Sequence, residues 1–413
     1  MKKHNTSFPG PNRIKISNLI LAIFCLVGCT RPSRQGDKTT TSVPLSDPAS
    51  DSISTLNFTI LDRNAKDIDW LHSTNLIAYP RMDPVDGYYD IWTIRPDGSN
   101  KTCLTCGENF PKKHNGNVTW HPSGKYLVFT GQNVDASGEL MDALAIPGTG
   151  LNCNLWAMSA DGEQIWQITN IPTEKETPQG LIHPQFSHDG TQLLWAQALG
   201  KYSAVAGEEW GKWQLAIADF ILEDGNPVLQ NIQYSQPGSH PRFYESHGWS
   251  PDDSLIIFSA NPEDEQHPPN GIDIYTMDVI STNLTRLTHT PSDWDEHAHI
   301  NPDGSMIAWM SGAELDVEFH STKWPDWKEY IATELWLMDL DGGNQHRLTY
   351  FNQPGHPHLE WLQEKVGVSI IRTVVSDSAW SPDGTQLIFT LAYEAENEKD
   401  GMGTLLIMMD VEK

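Results

Sequence analysis

Histidine and carboxylate side chains crowd two short stretches of this sequence, Glu245-Ser-His247 and Asp293-Trp-Asp-Glu296-His297-Ala-His299. Imidazole binds transition metals and carries protons near neutral pH. A carboxylate beside it serves as a further ligand or as an acid and base partner. A second run, Gln353-Pro-Gly-His356-Pro-His358, spaces one amide and two imidazoles as Gln-x-x-His-x-His, although His-Pro pairs are also ordinary turn chemistry. Cys103-Leu-Thr-Cys106 has C-x-x-C spacing and Cys153 stands alone. Two thiols fall short of a four-ligand zinc site, and no thioredoxin-like βαβ pattern surrounds them. The pair therefore reads as a structural disulfide formed in an oxidising compartment.

These residues are far apart in the chain, so their chemistry depends on what brings them together. An aromatic residue, a tight turn and an apolar strand recur as one phrase. It is found at Val118-Thr-Trp-His-Pro-Ser-Gly-Lys-Tyr-Leu-Val-Phe129, Pro184-Gln-Phe-Ser-His-Asp-Gly-Thr-Gln-Leu-Leu-Trp195 and Gly248-Trp-Ser-Pro-Asp-Asp-Ser-Leu-Ile-Ile-Phe258. Two further copies are His299-Ile-Asn-Pro-Asp-Gly-Ser-Met-Ile-Ala-Trp309 and Ala379-Trp-Ser-Pro-Asp-Gly-Thr-Gln-Leu-Ile-Phe389, with a degenerate first copy from Asp69 to Tyr79. Each copy has a second half, such as Glu334-Leu-Trp-Leu-Met-Asp-Leu-Asp-Gly342 followed by Arg347-Leu-Thr349. Pro presets φ, and Asp and Gly tolerate the dihedrals that follow, so each turn closes a hairpin. Four strands per unit around an axis give an all-β, six-bladed β-propeller. The last unit supplies only three strands, ending at Thr404 to Met409. Leu56 to Leu61 is expected to complete it and to close the ring.

With the copies aligned on the aromatic, the position three residues before it reads Asp67, Asn117, His183, Ser246, His297 and Asp377. The position one before reads Asp69, Thr119, Gln185, Gly248, His299 and Ala379. The intervening position is mostly apolar, although His247 occupies it in the fourth copy. Strand alternation puts the two polar columns on one side, at the mouth of a central funnel. The candidate ligand-binding set is Asp67, Asp69, Asn117, His183, Glu245, His247, Glu296, His297, His299 and Asp377. His183, His297 and His299 are the candidate ligands for a divalent transition metal. Propeller channels also hold such groups bonded only to water and backbone. Long connections, Gly131 to Leu151, Gly200 to Gly211, Ser311 to Thr333 and Tyr350 to Val375, are expected to wall the funnel. The third carries Phe319, Trp324, Trp327 and Tyr330 beside Asp316 and Glu318, a set suited to stacking on sugar rings or to a short covering helix.

The Trp-Ser-Pro-Asp-Gly and Leu-Trp-x-Met-x-x-Asp-Gly phrases resemble the repeats of TolB-like propellers over roughly residues 56 to 413. The Gln353, His356, His358 run is similar to the manganese-binding run of oligogalacturonate lyases, propellers with the same repeat. That resemblance implies Gln353, His356 and His358 as a second candidate metal set, and a metal-dependent polysaccharide lyase or hydrolase is an alternative function. Prolyl-oligopeptidase relatives carry such repeats too, but no G-x-S-x-G nucleophile elbow occurs here.

Lys2, Lys3, Arg13 and Lys15 precede an apolar run from Leu19 to Val27, too short to span a bilayer. It ends in Leu26-Val27-Gly28-Cys29, which resembles a bacterial lipobox and implies a signal over residues 1–28 and acylation of Cys29. Residues 29–54, rich in Ser, Thr, Pro and Asp, read as a flexible tether to a propeller over 55–413. The chain has 27 basic and 54 acidic residues, and losing residues 1–28 would make it more acidic still. That balance excludes nucleic acid as partner. The overall expectation is a monomer of the cell envelope, touching the membrane only through its lipid and facing the periplasm or exterior. It would bind a small molecule or saccharide, with an envelope-protein scaffold as another alternative.

Overall fold

A computed structural model describes residues 57–107, 109–174, 178–200, 210–266, 271–290, 293–315, 331–395 and 403–411. Expectations for the signal, Cys29, the tether and the aromatic run from Asp316 to Tyr330 lie outside the described residues. The strands form six four-stranded antiparallel sheets, each a meander starting from an inner strand. Inner strands run over Asp69–Leu71, Asn115–Trp120, Gly180–Phe186, Tyr244–Trp249, Asp295–Ile300 and Ile370–Trp380, and they open blades 1 to 6 in chain order. The outermost strand of blade 6 is Phe58–Arg63, paired antiparallel with Gly403–Asp410, Phe58 opposite Met409 and Arg63 opposite Leu405. The ring is closed as expected, with the closing strand two residues further on than the alternation of Leu56 to Leu61 suggests.

Local chemistry explains the repeated phrases. In the turns, Ser187, Ser250 and Ser381 donate their hydroxyls to Asp189, Asp252 and Asp383, and the same carboxylates accept the backbone N–H groups of Thr191, Ser254 and Thr385. Gly190 and Gly384 follow with φ of 75° and 67°, where a Cβ would be strained. The recurring Leu-Thr, Ile-Thr in blade 2, is a latch between the third and fourth strands. Thr105, Thr169, Thr288 and Thr349 each accept a backbone N–H, from Ile91, Leu155, Ile274 and Leu335. Each also donates to the side chain preceding that N–H, namely Asp90, Asn154, Asp273 and Glu334, at 2.7 to 2.9 Å.

The core lies between neighbouring sheets. Ile257, Ile274 and Leu287 of blade 4 pack against Ala298, Ile307, Trp309, Trp336 and Met338 of blade 5. The repeat aromatic also ties blade to blade, since Trp249 Nε1 donates to the Gln185 carbonyl and Trp380 Nε1 to the His299 carbonyl. The Cys103–Cys106 disulfide is formed at the outer edge of blade 1, with Cα atoms 5.8 Å apart, and Cys153 is free and buried.

Candidate functional site

Near the axis every blade carries one extra residue on its inner side against the neighbouring strand, and the extra residue builds the site. Gly116 pairs with Thr130 but Thr119 with Val128, and equivalent slips follow Ile182, Ser246, Glu296 and Val375. In blade 1 the slip falls between the Ala65–Arg81 bridge and the Asp69–Ala78 pair. Such a bulge re-aims a side chain that alternation would send elsewhere. Four residues there take the left-handed conformation: Asp67 at φ 40°, Asn117 at 42°, His183 at 49° and His297 at 51°. Asp, Asn and His are among the non-glycine residues that tolerate this region best.

The bulge corrects simple strand alternation in the fourth copy. There the slip falls between Ser246 and Gly248, so His247, in the column expected to be apolar, is the extra residue and meets the other imidazoles. The ring centroids of His183, His247 and His297 lie 5.3 to 6.0 Å apart, and His299 lies 6.1 Å from His247. Ser246 donates its hydroxyl to the His183 carbonyl instead.

Carboxylates surround these rings. His183 Nε2 is 2.7 Å from Glu245 Oε1 and 3.4 Å from Asn117 Nδ2. His299 Nε2 is 2.8 Å from Asp377 Oδ1, while Asp377 Oδ2 accepts the Ile68 N–H at 2.8 Å, joining blades 5, 6 and 1. Asp69 accepts the Trp120 N–H and, at 3.2 Å, the Thr119 hydroxyl, joining blades 1 and 2. His247 Nε2 is 2.6 Å from Ser259 Oγ and 3.2 Å from the His297 N–H. The buried atoms that find no hydrogen-bond partner among the described residues include Asp67 Oδ2, His247 Nδ1 and His297 Nδ1, the last lying 3.8 Å from Asp377 Oδ1. Polar atoms left so are rare in folded proteins unless a ligand, ion or water completes them.

Burial and neighbouring charge push these groups apart. Burial opposes charge on His183, but the Glu245 carboxylate outweighs it and raises the imidazole to about 9. Glu245 is held down despite burial by that same imidazolium. Burial, and then the negative charge of Glu245, push Glu296 well above the usual carboxyl range. Burial raises Asp67 and Asp69 to about 6 each. Asp377 is drawn down to about 2 against its burial by the hydrogen bond and charge of His299. Burial, then the neighbouring rings, lower His247 well below its ordinary value, and burial lowers His297. The outcome is one charged imidazole locked to one carboxylate beside two neutral imidazoles.

The second candidate set lies elsewhere in the fold. His356 caps the helix Pro357–Val366, its Nδ1 accepting the His358 N–H, and His358 Nδ1 accepts the Tyr350 N–H. The His356 ring stacks on Tyr350 and the His358 ring meets Phe58 edge-on. Gln353 shares in the turn that enters this helix, its carbonyl accepting the His356 N–H. Among the described residues, the groups of three or more His, Cys, Asp or Glu whose ligand atoms lie within 4.8 Å of one another are His183, His247 and His297, and Asp90 with the two disulfide cysteines. His356 and His358 thus take part in helix capping and aromatic packing, away from the axial cluster.

Ser259 and Thr130 are partners that the sequence columns miss. Both follow the aromatic of the second strand, as Thr390 does. Thr130 donates to Asn117 at 3.4 Å and Ser259 meets His247. A hydroxyl in that slot was the available signal. The connection after Gly131 does reach the face where the inner strands begin: the Gly148 N–H donates to Asn117 Oδ1, and Lys66 Nζ lies 3.5 Å from the Pro147 carbonyl.

No family model matches the chain. Dipeptidyl-peptidase 5 of Porphyromonas gingivalis is 20% identical over 341 residues, 78% of this chain and 43% of that protein, so the chain spans less than half of that relative. Among solved structures, TolB from Acinetobacter baumannii aligns with a TM-score of 0.47 at 14% identity, over 81% of this chain and 64% of that one. An oligogalacturonate lyase in complex with manganese aligns with a TM-score of 0.45 at 12% identity, over 88% and 95%. TolB and oligogalacturonate lyase propellers are thus among its structural neighbours, and the six-bladed architecture itself rests on the sheet order described above.

Proposed function

We propose that this chain is a ligand-binding β-propeller of the cell envelope, held by a lipid on Cys29. In this reading it captures a small polar ligand, a saccharide above all, where the six inner strands begin. The observation that carries the reading is convergence. Side chains from residues 67 to 377 meet at one end of the axis, and buried Asp67 Oδ2 is still unpartnered among the described residues. Carboxylates, an amide and imidazoles together offer donors and acceptors at short range, which suits a polyhydroxylated ligand better than an apolar one.

His299 and Asp67 sit on the sector formed by blades 5, 6 and 1, and His299 is the more open of the four clustered imidazoles, with 15% of its side chain exposed. Glycan-array screening followed by titration calorimetry tests the proposal. A hit with the wild-type chain that weakens at least tenfold in both Asp67→Asn and His299→Ala supports it. A hit that both variants retain at full strength places the ligand elsewhere and refutes it.

A further inference from the structure

We infer that His183, His247 and His297 form a binding site for one divalent transition metal ion, and that the ion ties blades 3, 4 and 5 together at the axis. Each imidazole stands on a different inner strand, and each offers a nitrogen within 4.8 Å of the other two. Nitrogens about 2.0–2.1 Å from a tetrahedral zinc lie about 3.4 Å apart, so the rings close by an ångström or so on binding. All-imidazole donation selects zinc, copper, iron or nickel over calcium or magnesium, which prefer oxygen.

The partners of the rings fit this use. Glu245 Oε1 accepts the Nε2–H of His183 at 2.7 Å, the carboxylate–histidine arrangement in which the ion displaces the Nδ1 proton to solvent and ligates through Nδ1. His247 Nδ1 and His297 Nδ1 are buried and have no hydrogen-bond partner among the described residues. Ligation through His247 Nδ1 puts that ring's proton on Nε2, where Ser259 Oγ at 2.6 Å accepts it, at the cost of the 3.2 Å contact from the His297 N–H. His299, the third member of the set read from the sequence columns, is drawn away by Asp377. The three rings are 4%, 1% and 7% exposed, so the ion would be enclosed and its role structural. Bulge geometry aims the rings inward, and three blades held by one ion would resist opening of the ring between them.

Cobalt and zinc titration of the purified, chelator-treated full chain tests the inference, with metal content read by mass spectrometry. The expected result is one equivalent bound, visible absorption bands of nitrogen-coordinated cobalt, and a thermal midpoint several degrees higher with zinc than with chelator. His247→Ala and His297→Ala should each weaken binding at least tenfold, while His356→Ala leaves it unchanged. Absence of stoichiometric binding, full binding in both axial variants, or loss in His356→Ala overturns the site. An unchanged midpoint overturns the tie. Should the axial variants fail to fold, the anomalous scattering of cobalt in wild-type crystals decides, since a peak anywhere but among the three rings refutes the assignment. No glycan enters these measurements, so this site and the ligand site stand or fall separately.

Discussion

Left-handed backbone at four inner-strand positions makes a stability prediction that contact energies cannot imitate. For an L-residue that conformation costs roughly 1–2 kcal/mol, because Cβ crowds the following carbonyl. Glycine escapes the clash but loses more freedom on folding, which returns roughly 0.5–1 kcal/mol. Comparing glycine with alanine at one position cancels the loss of the native side chain, so the backbone alone decides. At Asn117, His183 and His297, with φ from 42° to 51°, glycine should be the more stable of the two by about 1 kcal/mol. At Gln185, on the same strand as His183 but paired normally with Leu194, the order should reverse, with alanine ahead by roughly 0.5–1 kcal/mol. Urea unfolding followed by tryptophan fluorescence reads both, with equal m-values as the check on two-state comparison. Alanine equal to or above glycine at all three positions would refute the claim that strained bulges, not ordinary alternation, aim these side chains at the axis.

Thr349→Val keeps the shape of a fully buried side chain but orphans the Leu335 N–H and removes a donor from Glu334. Unfolding by urea should show a loss of roughly 2–3 kcal/mol, and a loss under 0.5 kcal/mol would show the latch to be ornamental. Phe58→Ala strips the closing strand of its packing on Phe351, Trp361 and His358. A half-buried ring should cost roughly 2–3 kcal/mol in the same assay, and no cost would mean that the ring is not held shut there. Asp295, raised by burial to about 6, is disfavoured when ionised in the folded state. The penalty is full above pH 6 and disappears below the unfolded value near 4. The stability of Asp295→Asn relative to wild type should therefore fall by roughly 2–3 kcal/mol between pH 8 and pH 4. A difference that stays flat with pH would contradict it.

The fold was legible because its determinants are local and repeated. Trp-Ser-Pro-Asp-Gly encodes a turn through its own Ser, Asp and Gly, and Leu-Thr encodes a latch fourteen or fifteen residues back, so six imperfect copies reinforce one another. Closure by an early strand followed from a last unit one strand short. The site was only partly legible, because it hangs on where each bulge falls. Alternation alone sends His247 outward, and a one-residue difference in the position of the slip brings it in. Nor does a column show which imidazole a carboxylate will claim: Asp377 takes His299, while Glu245 takes His183. Gln-x-x-His-x-His reads as a ligand run on spacing alone, which does not show that His356 caps the helix beginning at Pro357 while His358, inside it, accepts the Tyr350 N–H.

The central claim is that residues 78 apart in sequence meet at one axis. A double-mutant cycle on His299→Ala and Asp377→Ala, measured by urea unfolding at pH 7, tests it most directly. A charge-assisted hydrogen bond in that setting should give a coupling energy of roughly 1.5–3 kcal/mol. Additivity within about 0.3 kcal/mol, the behaviour of residues that do not touch, would contradict the account.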